Sequence, residues 1–113
     1  YRALMLSDVP NFAFVIGYSN ASWTLKADLV CEYVVRLLRY MDQHNLKMVV
    51  PPRTEGLEPG PLLDLESGYL ARVADTLPKS GDRDPWRLKH NWYFDKKAIR
   101  KSEIDDGTLQ FSA

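Results

Sequence analysis

Hydrophobic positions along this chain fall into three patterns, each pointing to a different element. Residues 12–16 (Phe12, Ala13, Phe14, Val15 and Ile16) are apolar without a break. A run with no alternation predicts a strand buried on both faces, as in a parallel sheet. Leu25, Leu29, Tyr33, Leu37 and Met41 then recur at every fourth position, flanked by Val30, Val34 and Leu38, which predicts a helix over 23–43. Ala27, Cys31 and Val35 add a third apolar row. The solvent side is left to Lys26, Glu32, Arg36, Arg39 and Gln43, with Glu32 and Arg36 spaced as an i,i+4 ion pair. A helix this apolar belongs inside a larger sheet-and-helix body than one short chain supplies.

The remaining pattern is fragmentary. Ser22 or Thr24 is placed to cap the long helix, and Asn45 to end it. Met48, Val49 and Val50 suit a short strand, whereas residues 51–61 are too rich in proline and glycine for helix or sheet. A short helix is expected over 67–77, capped by Ser67, with Leu70, Val73, Ala74 and Leu77 as its stripe. Asp84 followed by Pro85 predicts a second helix start, continuing from Trp86 to about Arg100. Asp105-Asp106-Gly107 signals a turn, and Leu109 and Phe111 a terminal strand. The organisation expected is a strand and helix over 1–50, then a linker and helical tail over 51–113.

Composition narrows the function classes. Fifteen basic and fifteen acidic residues cancel, removing the electrostatic argument for nucleic acid or an anionic membrane. No apolar run approaches the roughly 20 residues that span a bilayer. The single cysteine, Cys31, allows no internal disulfide, which fits a cytoplasmic protein. Its apolar neighbours predict a buried, unreactive thiol. His44 and His90 lack companions at metal-ligand spacing, so no metal is expected. Tyr93 and Phe94 interleave with Arg87, Lys89, Lys96 and Lys97, but Asp84 and Asp95 dilute the charge, and packing explains these aromatics better than base stacking. Tyr1 at the start, in place of methionine, is expected of a fragment.

The chemistry is expected where the apolar run turns into the long helix. A helix N-terminus offers backbone N–H groups and the positive end of a dipole to an electron-rich ligand. Gly17 would let a ring approach the backbone closely. The plain alternative is a corner that binds nothing. Gly17-Tyr18-Ser19-Asn20-Ala21 also approximates a nucleophile elbow, with Ser19, then Asp64 or Asp75, and His90 in hydrolase order. The final glycine of that motif is replaced by alanine, and the chain offers no oxyanion loop.

Residues 11–29, from Asn11 through Gly17, Trp23 and Leu29, resemble the C-terminal strand and helix of flavin-dependent Baeyer–Villiger monooxygenases, most closely the ethionamide-activating type. Ser67-Gly68-Tyr69, residues 77–81, residues 85–88 and Asp105-Asp106-Gly107 resemble the tail of the same proteins. The resemblance implies an α/β fold, here the incomplete C-terminal part of a flavoprotein with two dinucleotide-binding domains. It implies FAD as cofactor, with Gly17, Asn20, Ser22, Trp23 and Thr24 facing the flavin and Tyr18, Asn20 and Trp23 shaping the substrate pocket. It further implies that NADPH reduces the flavin, and that the oxygenated flavin attacks a small ketone or a sulfur centre. The NADPH fingerprint and the catalytic arginine would lie upstream, so no catalytic residue is expected within this chain. The rest of the parent chain would complete the fold, and the segment alone would be inactive. A scaffold module keeping the shape of the flavin site without its cofactor is the alternative.

Overall fold

The computed structural model describes residues 1–18, 21–61, 76–88 and 90–113. Ser19, Asn20, Asp64, Asp75, Lys89 and nearly all of the helix expected over 67–77 lie outside the described residues. The described elements are two helices and two small antiparallel pairings: α1 (Trp23–Gln43), β1 (Met48–Val50), β2 (Gly60–Pro61), β3 (Lys79–Ser80), α2 (Trp92–Arg100) and β4 (Gln110–Ser112).

The long helix forms where its pattern places it. Ser22 is the N-cap, in extended conformation, and its Oγ accepts from the Thr24 amide at 3.4 Å. At the other end Asn45 adopts a left-handed φ of 53°. The Leu46 amide then reaches back to the Met41 carbonyl at 2.9 Å, and the Asn45 amide to that of Asp42 at 3.4 Å. These two bonds close the carbonyl end as a Schellman motif, with asparagine where glycine is usual. Leu29, Val30, Tyr33, Leu37 and Met41 are buried, and pack with Leu4, Met5, Val49, Trp86, Ile99 and Leu109 into one core. That core draws on both sides of the proline-rich stretch.

β1 pairs with β4 in the register Met48↔Ser112, Val49↔Phe111 and Val50↔Gln110, so the two predicted short strands find each other. β2 pairs with β3 through Gly60↔Ser80 and Pro61↔Lys79.

Four expectations are corrected. Residues 12–16 form no strand, and Phe12 and Val15 are 43% and 42% exposed. The open edge of β1 is instead covered by Asn11: its amide donates to the Val49 carbonyl and its Oδ1 accepts from the Val49 amide, both at 2.9 Å. With that edge satisfied by one residue, the apolar run that follows has no ladder to join among the described residues. The second helix starts at Trp92 rather than Trp86, because Asn91 supplies the cap, its Oδ1 accepting from the Phe94 amide at 3.2 Å. Asp84, Pro85 and Trp86 form a turn that buries the Trp86 indole edge-on against Tyr1.

The third correction concerns Glu32, which pairs with Arg100 across the helices through two bonds of 2.9 Å and not with Arg36. Arg36 instead donates to the carbonyls of Ile99 and Ser102, at the end of α2. A helix C-terminus carries unsatisfied carbonyls and partial negative charge, so it outcompetes an exposed carboxylate for the guanidinium. Last, Cys31 is exposed, because the row it shares with Val35 faces away from the core.

Candidate functional site

Gly17 and Tyr18, just before α1, and Ser22, Trp23 and Thr24, at its start, are the described members of the predicted site. Ser22, Trp23 and Thr24 are exposed at the helix N-terminus, with the Ser22 and Thr24 hydroxyls 2.8 Å apart. Trp23 lies against Gly17: a Cβ there would fall 2.2 Å from the indole Cγ. The glycine is thus required for close approach of a ring, and the ring here is this chain's own tryptophan. Asn20 lies outside the described residues.

Tyr18 is not on the same surface as Trp23. It is 2% exposed, and its hydroxyl donates to Asp95 Oδ2. The same carboxylate oxygen accepts from Lys26 Nζ at 2.8 Å, where the lysine side chain has no exposure at all. Lys26 Nζ also reaches the Arg2 carbonyl at 3.5 Å. Burial, reinforced by the hydrogen bond and charge of Asp95, holds the Tyr18 phenol far above its ordinary value. Burial lowers the Lys26 ammonium, with Asp95 opposing the shift.

Lys26 and Asp95 are the residues that sequence reasoning missed. As a cation, Lys26 is expected on the solvent side of α1. It lies one turn before Val30 and two before Tyr33, on the buried face, and that register was the available signal. Asp95 carries no such signal, since its partner is 69 positions away.

Two clefts among the described residues lie elsewhere. One of about 330 Å³ is lined by Arg2, Asp84, Arg87, Asp95 and Asp106, among others. Another of about 330 Å³ runs between Phe12 and Ala13 on one side and Leu37, Leu38 and Met41 on the other. Neither includes Gly17, Ser22, Trp23 or Thr24. His44 stacks on Tyr40 with ring centroids 4.2 Å apart at the end of α1. Among the described residues, no group of three or more His, Cys, Asp or Glu side chains is placed to hold a metal ion. No described helix is long and apolar enough to cross a membrane.

The donor set fits an electron-rich ligand at the head of α1, where the first helical turn is open to solvent. It fits flat stacking over Gly17 only if the Trp23 ring moves aside.

No protein-family model and no solved structure matches the chain. Curated relatives do. The chain is 49% identical over 113 residues to the FAD-containing monooxygenase EthA of Mycolicibacterium smegmatis, a match covering 99% of the chain and 23% of the relative. It is 46% identical to the probable FAD-binding monooxygenase AlmA of Acinetobacter baylyi, covering 98% of the chain and 23% of the relative. It is 39% identical over 115 positions to the putative FAD-containing monooxygenase MymA of Mycobacterium tuberculosis, covering 23% of that protein. The chain thus spans about a quarter of the length of the curated relatives it matches. Along nearly its whole length, it is similar to the C-terminal segment of the EthA-type FAD-containing monooxygenases.

Proposed function

We propose that this chain is the C-terminal portion of an FAD- and NADPH-dependent monooxygenase that oxidises a ketone in Baeyer–Villiger fashion or oxygenates a sulfur centre. The observation that carries this reading is 49% identity along 99% of the chain to a protein named as an FAD-containing monooxygenase. The exposed N-terminus of α1 supports it, because backbone N–H groups and the helix dipole favour a ring system whose carbonyl end gains negative charge on reduction. Bound FAD would supply the redox and oxygen chemistry. The chain's own part is narrower: the first turn of α1, with Ser22 and Thr24, would bind the electron-rich edge. Trp23 would swing from Gly17 to form a wall of the site and exclude water. Tyr18, held inward by Asp95, would support the turn from beneath instead of touching substrate.

The test compares the chain with the full-length polypeptide that carries it. We expect no NADPH consumption by the 113-residue chain. We expect ketone- or thioamide-dependent consumption by the full-length protein, with FAD affinity weakened about tenfold by Trp23→Ala, on the order of the 1.4 kcal/mol that a modest aromatic contact is worth. Flavin-dependent NADPH oxidation by the short chain, or a full-length protein indifferent to FAD, would overturn the reading. The seating of Trp23 on Gly17 favours one second reading, a scaffold whose flavin site is filled by its own side chain. Cooperative unfolding of the short chain together with indifference to FAD in both forms would select it.

A further inference from the structure

Tyr18 and Lys26 bracket all the residues assigned to the flavin except Gly17, which directly precedes Tyr18, and a single oxygen of Asp95 accepts from both. Asp95 belongs to α2, whose start is fixed separately by the Asn91 cap. We propose that Asp95 is the positioning residue of the candidate flavin site: it ties Tyr18, before α1, and Lys26, in the first turn of α1, to the tail helix α2. The inference rests on the function proposed above for the role of that turn.

Three features carry it. First, the pair is built in, not adventitious: Lys26 has no exposed surface and the Asp95 side chain is 7% exposed. Two groups removed from water need each other's charge and hydrogen bonds, so the geometry between them is tightly specified. Second, the described residues between Tyr18 and Lys26 are largely on the surface. Ser22, Trp23 and Thr24 are exposed, and the cap bond at Ser22 is local to the helix end. Third, the anchor comes from far along the chain, over 69 positions, so the tail helix governs a turn with which it shares no local sequence. Asp95 Oδ2 is engaged by Tyr18 and Lys26, and its proposed action is through them.

The experiment uses the full-length polypeptide carrying this segment and reads two quantities: amide hydrogen exchange across residues 18–26, and the FAD dissociation constant. Asp95→Asn would leave the buried Lys26 unpaired and risks unfolding, so two further variants accompany it. Tyr18→Phe releases only the entry of the turn and keeps the ion pair. The double variant Lys26→Met with Asp95→Leu removes both charges and leaves apolar packing. In variants whose midpoint of thermal unfolding stays within a few degrees, exchange should rise about tenfold or more over 18–26 and stay unchanged in the rest of α1. Tyr18→Phe should confine the rise to the entry side, and Asp95→Glu should restore part of the protection. FAD affinity should fall in step with exchange. Unchanged exchange in folded variants would overturn the positioning role and leave the proposed function standing. Raised exchange with unaltered affinity, in a protein that binds FAD, would overturn the role of the turn at the flavin.

Discussion

Single residues decide how this corner of the protein is built. Gly17 sits where any β-carbon would strike the Trp23 indole, so the two positions are coupled. Gly17→Ala should destabilise by about 1 kcal/mol, the lower end of the overpacking range. In a Trp23→Ala background the same change should cost almost nothing. A double-mutant cycle from urea denaturation checks this, and additive costs would mean that the ring does not rest on the glycine. Lys26 and Asp95 are coupled more strongly. Lys26→Met alone should cost roughly 3–5 kcal/mol by stranding a buried carboxylate, whereas the pair Lys26→Met with Asp95→Leu should cost far less. Equal losses would show that the ion pair adds stability of its own.

The elements owe their ends to side-chain caps that are visible in the sequence once the right residue is chosen. Asn91 caps α2, and only this cap separates a nine-residue helix from the fifteen-residue one that the Asp84-Pro85 signal suggested. Asn91→Ala should cost about 1 kcal/mol and lower the helical circular dichroism by frayed residues of α2. An unchanged spectrum and stability would mean that packing of Asp95 and Ile99 alone holds the helix. The link between α1 and α2 by Glu32 and Arg100 is a different matter. Both side chains are about half exposed, so the pair should weaken with added salt and contribute little. For Glu32, i,i+4 spacing allows pairing with Arg36, but helix packing presents Arg36 to the carbonyls that end α2. Local spacing lists the available partners, and packing selects among them.

On the scale of the whole molecule, Asp106 joins the two ends of the chain. It accepts from Tyr1 Oη at 2.5 Å, from Arg2 Nη2 at 3.1 Å, and from the amides of Thr108 and Leu109 at 2.9 and 3.3 Å. Burial alone would raise its carboxyl, but these four donors outweigh burial and hold it below the ordinary 3.8. A carboxylate lowered by folding stabilises the native state fully above its unfolded value. That contribution is lost as pH falls through the native one. Stability should therefore decline below about pH 3.8 with an Asp106 component that Asp106→Asn removes. Urea midpoints measured against pH would show it, and parallel curves for the two proteins would refute it. The exposed Phe12, Val15, Val35 and Leu38 bear on the molecule as a whole too. An apolar surface of this extent on a short chain should drive self-association. Leu38→Glu should reduce it in sedimentation experiments, and a strictly monomeric parent would argue for a free-standing module.

What the sequence by itself determined is local or periodic. The four-residue recurrence from Leu25 to Met41 set the register and length of α1, because a helix must bury one face and expose another. Ser22 or Thr24 at one end and Asn45 at the other marked its limits, because capping needs particular side chains at particular backbone angles, and the structure takes Ser22. Short β-rich runs marked β1 and β4. The order of several motifs was enough to place the chain beside the flavin monooxygenases. Only the tertiary structure decided the rest. Whether residues 12–16 became a strand depended on a free edge, and Asn11 had taken it. Whether Tyr18 faced a pocket or the interior depended on Asp95, and whether Lys26 met water depended on the same carboxylate. Each of these outcomes turns on groups brought together from distant positions, and no pattern along the chain encodes which of two chemically suitable partners arrives first at a given surface.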